Sequence, residues 1–243
     1  MDLGANYKVI VRLIGLGPWN RRLIGQKSLH GPRPPQDRFT IFATLVVTDD
    51  FSRFTWVFFL NTKDETTDIL KTFITEVENQ AEKKIKIIRC DNGTEFKNRV
   101  MDDFCKDKGI KREFSVARTP QQNGVAERRN RTLIEAARTM IADSKLPVTF
   151  WAEAVNTACY IQNRVLVVKS KNKTPYELFR GRPPLLDFLK PFGCHVTILN
   201  TIDHLGKFDG KSDEGFFIGY SMVSKACRVY NLRTKKIEEN MHV

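Results

Sequence analysis

Ile85-Lys86-Ile87-Ile88-Arg89-Cys90-Asp91-Asn92-Gly93-Thr94-Glu95-Phe96 reads as a buried strand that ends on an acid. Ile85 to Cys90 has the apolar, β-branched content of a strand inside a sheet, and Asn92-Gly93 lets the chain turn away sharply, exposing the Asp91 side chain. A helix from about Phe96 to Lys108 follows and stops at Gly109, and Ile110 to Phe114 forms the next strand. Strand, helix, strand in this order implies parallel neighbours and an α/β sheet. Asp91 then stands at the carboxyl end of a strand, where such folds hold ligands and where a carboxylate is well sited to hold a divalent cation.

Upstream, Phe39 to Thr48 and Thr55 to Leu60 flank the turn Asp49-Asp50-Phe51-Ser52 and predict an antiparallel hairpin. Asp64 to Glu82 repeats Ile69, Leu70, Phe73, Ile74 and Val77 at helical spacing. Within the first 36 residues only Lys8 to Leu16 has strand content, because Gly15-Leu16-Gly17-Pro18 and Gly31-Pro32-Arg33-Pro34-Pro35 interrupt the rest. Downstream, Ala117 to Asn123 predicts a loop ahead of a long helix to about Ser144, and Thr149 is the expected N-cap of a helix through Trp151, Ala154, Ala158 and Ile161. Thr174-Pro175-Tyr176-Glu177 is a capping box whose short helix stops at Gly181. Beyond Phe188, short β segments at His195 to Leu199, Gly215 to Tyr220, Arg228 to Asn231 and Lys236 to Val243 predict a small antiparallel barrel. The expected division is a divergent segment over 1–36, a core domain over 37–186 and a β domain over 187–243.

With 40 Lys and Arg against 28 Asp and Glu, the 243-residue chain carries a net charge of +12, which favours a polyanionic partner such as nucleic acid. The longest apolar run is strand-sized, well below the ~18 residues of a membrane span. Met1 to Tyr7 lacks the pattern of a secretory signal, so an intracellular protein is expected. Five scattered cysteines with no Cys-x-x-Cys pair predict no disulfides. Cys194-His195 reads as ordinary packing, since none of the four histidines has zinc-module spacing.

Glu127 opens a basic stretch with Arg128, Arg129 and Arg131, so the arginines could hold phosphates while the carboxylate holds metal. The bland alternative is an exposed i,i+4 pair with Arg131, worth only about 0.2–0.5 kcal/mol. Gln121-Gln122-Asn123-Gly124, taken as a polar loop beside that helix, favours a substrate-gripping element. Glu95 reads first as a helix-dipole partner.

These motifs resemble the integrase region of copia-type retrotransposon polyproteins, from about Leu45 to Val243. The resemblance is carried by Val47-Thr48-Asp49-Asp50-Phe51-Ser52-Arg53, Arg89 to Phe96, Thr119-Pro120-Gln121-Gln122-Asn123-Gly124-Val125-Ala126-Glu127-Arg128, Phe150-Trp151-Ala152-Glu153-Ala154, Lys190-Pro191-Phe192-Gly193-Cys194 and Gly215 to Tyr220. It implies an α/β fold: an RNase H-like mixed five-stranded sheet flanked by helices, followed by a small SH3-like β-barrel. It further implies an Asp, Asp and Glu site for two Mg²⁺ or Mn²⁺ ions. There water trims the element's DNA end, and the resulting 3′-hydroxyl attacks host DNA. By the same resemblance Asp91 is the second Asp and Glu127 is the Glu; the basic stretch and the polar segment before it make Gln122, Asn123, Arg128, Arg129 and Arg131 the expected DNA contacts. The implied partners are element-end DNA, host target DNA and further copies of the chain, with nuclear residence after a cytoplasmic particle stage.

The sequence departs from the family at its start. The zinc-binding His-His-Cys-Cys segment is not intact, and neither is the first strand ending in Asp followed by Gly-Pro. Met1-Asp2-Leu3 matches only the beginning of that Asp motif, and Lys8 to Leu16 contains no acid. Asp49 and Asp50 are poor substitutes, because they end a strand antiparallel to the first and read as turn formers. The leading reading is an active strand transferase, and the alternative is a catalytically dead nucleic-acid-binding remnant that lacks the first Asp.

Overall fold

The computed structural model describes residues 7–15, 43–81, 84–115, 120–199, 212–221, 224–241 and 243. Packing divides the chain into two units. Among the described residues the first takes 7–15, 43–131 and 163–184, and the second takes 132–162 and 185–243.

The strands of the first unit are Tyr7–Gly15 (β1), Ala43–Asp49 (β2), Thr55–Leu60 (β3), Ile85–Cys90 (β4) and Lys111–Phe114 (β5). They form one sheet in the order β3-β2-β1-β4-β5. β2 is antiparallel to β1 and β3, while β4 is parallel to β1 and β5, so the sheet is mixed. Helices Thr66–Ala81 (α1) and Arg99–Asp107 (α2) bring Leu70, Phe73, Ile74, Val77, Met101 and Cys105 into one core with Val9, Val11, Leu45, Val47, Ile88 and Cys90. Each such side chain stabilises the fold by roughly 1.5–3 kcal/mol when fully buried. Ile85 and Ile88 both belong to this core although their spacing is odd, because the register slips between Tyr7 and Lys8 and absorbs one residue.

The helix expected from Phe96 is split into a 3-10 turn at Thr94–Phe96 and α2. Asn98 starts α2, its side-chain oxygen accepting from the Met101 N–H at 2.8 Å, and Gly109 closes it at φ +67. Pro175–Arg180 (α5) has the expected cap, Thr174 accepting from the Glu177 N–H at 3.1 Å, and ends at left-handed Gly181.

Two local expectations are corrected. The long helix (α3) runs Pro120–Ser144, so Gln121-Gln122-Asn123-Gly124 is helical rather than a loop. Proline is favoured at the first helical position because its missing N–H would have no intrahelical partner there. Ala117 to Thr119 lie outside the described residues. Thr149 does not cap the next helix: Val148–Phe150 forms a 3-10 turn after Pro147, and Trp151–Val165 (α4) continues from it.

The second unit holds His195–Leu199 (β6), Ser212–Tyr220 (β7), Cys227–Asn231 (β8) and Ile237–Asn240 (β9) as an antiparallel sheet in chain order. Val196, Ile198, Phe217, Tyr220 and Val229 form its core, against which Tyr160 and Ile161 of α4 pack. Arg228 donates to both carboxylate oxygens of Glu153, at 2.7 and 3.0 Å. Among the described residues, no helix is long and apolar enough to cross a membrane.

Candidate phosphoryl-transfer site

Asp91 directly follows Cys90, the last residue of β4, which pairs with Val11 on one side and Phe114 on the other. Its Oδ1 accepts from the Gly93 N–H at 3.3 Å, and the Asn92 amide donates to the Ser115 carbonyl at 2.8 Å, so the turn is fastened on both sides. A Cβ at Gly93 would stand 2.6 Å from the Glu95 carboxyl carbon, so a larger residue there would make the Glu95 side chain move aside. Burial holds the Asp91 carboxyl above the ordinary carboxylate range. The Gly93 N–H opposes this, Glu95 adds to it, and Arg12 and Lys63 pull the other way.

Glu127 lies at the start of the third turn of α3 and pairs with Arg12 of β1, Nη1 to Oε1, at 3.0 Å. Arg12 is one residue beyond the Val11–Cys90 pair, hence level with Asp91 on the neighbouring parallel strand. Register therefore sets Asp91 level with the residue whose guanidinium pairs with Glu127. Arg12 was not singled out from sequence. The available signal was its place as a charge at the same parity as Ile10 and Ile14 within an apolar strand.

Asp49 and Asp50 serve the turn. Buried Asp49 accepts from the Ser52 N–H at 2.8 Å, the Phe51 N–H at 3.3 Å and the Ser52 hydroxyl, and Asp50 pairs with Arg53. Asp49 lies opposite Val9, three rungs from Arg12, which at a strand's rise is about 10 Å. Asp2 lies outside the described residues. Tyr7, where β1 begins, pairs with Ile85 at the far end of β4 from Asp91.

The residues expected to contact DNA separate by environment. Arg128 and Arg131 are exposed on α3. Arg129 turns inward, its guanidinium donating to Thr55 Oγ1 at 3.3 Å and Asn163 Oδ1 at 3.1 Å, while Asn163 also bonds both backbone polar groups of Thr55. That cluster fastens α3 to the edge strand β3. Gln122 and Asn123 fall in the first turn of α3, with their side chains outside the described residues. In the second unit, His195 stands 3.6 Å from Glu214 across the β6–β7 pair, and burial raises the Cys194 thiol.

A mixed five-stranded sheet with an acid after its fourth strand and another on the following long helix, in one chain with a four-stranded antiparallel sheet, defines an RNase H-like core accompanied by an SH3-like domain. Residues 31–120 match the integrase core domain, and residues 194–243 match the retroviral polymerase SH3-like domain. The chain is 38% identical over 196 residues to the retrovirus-related Pol polyprotein from transposon TNT 1-94 of Nicotiana tabacum, covering 81% of this chain and 15% of that protein. It is 30% identical over 199 residues to the corresponding polyprotein from transposon RE2 of Arabidopsis thaliana, covering 82% and 14%. The chain thus spans about 15% of the length of the curated relatives it matches. Among solved structures, the simian T-cell lymphotropic virus intasome in complex with PP2A regulatory subunit B56 gamma shares the fold at a TM-score of 0.53 and 17% identity, over 98% of this chain and 77% of that one. The catalytic core domain of BIV integrase does so at 0.50 and 16%, over 73% and 95%. The chain carries the integrase core domain and the SH3-like domain of retrovirus-related transposon Pol polyproteins.

Integrase cores are metal-dependent as a family. The described residues do not fit the ions that chemistry needs. A pair of ions about 4 Å apart must be bridged and flanked by clustered carboxylates. Among the described residues no three His, Cys, Asp or Glu side chains group so as to hold a metal, and one of the two candidate carboxylates is already paired with a guanidinium.

Proposed function

We propose that this chain acts as the DNA-handling integrase segment of a retroelement polyprotein, binding element-end and target DNA, with its reaction centre reduced to Asp91 and Glu127. The carrying observation is that Glu127 of α3 pairs with Arg12 of β1, which the register sets level with Asp91 after β4. Arg128 and Arg131 on α3, and a net charge of +12, supply the attraction for phosphate. Self-association and work in the nucleus belong to the same proposal.

The second reading, metal-dependent 3′-end processing and strand transfer with Mg²⁺ or Mn²⁺, is favoured by the integrase core match. It requires a further acidic ligand from outside the described residues, where Asp2 lies. Titration of a labelled element-end duplex across salt, alongside a nicking assay with either ion, separates the two. The expected outcome is binding that weakens linearly in log–log form, by ~0.9 per phosphate neutralised. D91N and E127Q should bind as the parent does, without turnover in any of the three. Nicking abolished by either variant establishes the second reading, and absence of salt-sensitive DNA binding overturns the first.

A further inference from the structure

We propose that Arg12 is the resident cation of this centre, its guanidinium standing where a divalent ion would otherwise neutralise Asp91 and Glu127. The inference rests on the reading above that these two acids form one centre. Three observations converge. Register places Arg12 beside Asp91 on the adjacent parallel strand. Its Nη1 lies 3.0 Å from Glu127 Oε1. It is also one of the two cations acting on the Asp91 carboxyl, Lys63 being the other.

Asp91 and Glu127 place two negative charges at this centre, with Glu95 acting on Asp91 from over Gly93; paired carboxylates call for a compensating cation, although among the described residues these acids do not group into a three-ligand metal site. A guanidinium meets the same demand with fixed N–H donors, and it cannot be deprotonated at working pH. A divalent ion entering between the carboxylates would meet a positive charge already bound to one of its ligands. The arginine therefore excludes metal by occupying its ligand and by like-charge repulsion. In exchange it keeps α3 tied to the sheet without any ion.

The consequence is a switch in ion demand on changing one residue. Arg12→Asp would turn the cation into a third carboxylate on β1, level with Asp91, and the centre should then take up a divalent ion. Arg12→Gln removes the charge while keeping a side chain of similar reach, so it should allow weaker uptake and covers the case in which Arg12→Asp does not fold.

The test is a Mn²⁺ titration of the full chain without DNA, read from the spin resonance signal of the free ion. The parent and D91N should give superimposable curves. R12D should gain one saturable Mn²⁺ site, at least about tenfold tighter than any uptake by the parent, lost again in R12D combined with D91N. A parent Mn²⁺ site that D91N abolishes would overturn the proposal, as would folded R12D and R12Q that both titrate like the parent. Because no DNA is present, these outcomes are independent of whether the chain binds it.

Discussion

Glu113 on β5 accepts from Lys8 Nζ at 2.9 Å and from Arg89 Nη2 at 2.8 Å, so one carboxylate joins side chains from β1, β4 and β5. The Lys8 hydrogen bond is the largest influence on it. With Arg89, it holds the Glu113 carboxyl down to about 2, against the opposing effect of burial. A folded-state value below the unfolded one means that the stabilisation is complete above the unfolded value and is lost as pH falls through about 2. Glu113→Gln should therefore cost about 1–2 kcal/mol near neutral pH, the pair being partly exposed. The gap between parent and variant in urea melts should close between pH 4.5 and about 2; a gap independent of pH would show that the ion pairs contribute nothing. Asp91 was legible in the sequence because a strand signal ends on it. Arg12 was not, since a single charge within a nine-residue strand is ordinarily a solvated side chain, and only the register sets it level with Asp91.

Among the elements, α3 differs most from its reading in sequence. Gln121-Gln122-Asn123-Gly124 has the composition of a loop, yet a proline at the first helical position and tertiary anchoring through Arg129, Thr55 and Asn163 carry the helix across it. Gly124 then sits in a helix interior with nothing nearer to a new Cβ than Arg128 Nη1 at 3.5 Å. Gly124→Ala should stabilise the first unit by roughly 0.5–1 kcal/mol, because alanine loses less backbone entropy on folding into a helix. It should also slow amide exchange through the start of α3. Loss of stability, or unchanged exchange there, would place Gly124 in a non-helical conformation. β1 shows the complementary case. Its β-branched content announced a strand, but its place between β2 and β4 depends on which strands the connections allow to pair, a long-range property that local periodicity does not carry.

At the scale of the whole chain, the short β segments at its end and the helix through Trp151 were each readable in the sequence, but not that the helix packs on the sheet. A four-stranded sheet of this size has only a small core of its own. In the second unit that core is extended by α4 and the 3-10 turn before it. Tyr160 stacks on Tyr220 with ring centroids 4.5 Å apart, and Phe150 meets Tyr230 edge-on at 5.1 Å. Thr157 donates to the Ile218 carbonyl at 3.0 Å, and Glu153 takes both guanidinium bonds of Arg228. Gly193, at φ +79, admits the end of α3 so closely that a Cβ would lie 2.2 Å from Ser144 Cβ. Helix and sheet are thus one packing unit despite their separation in sequence. A fragment of 187–243, cut at the compositional boundary, should give neither a cooperative melt nor dispersed amide resonances. Within the full chain, Glu153→Gln should cost about 1–3 kcal/mol, because among the described residues Arg228 then keeps its partly buried charge with Glu239 alone to meet it, at 3.2 Å. A fragment of 187–243 that melts cooperatively, together with an indifferent Glu153→Gln, would show that the sheet folds without its helix.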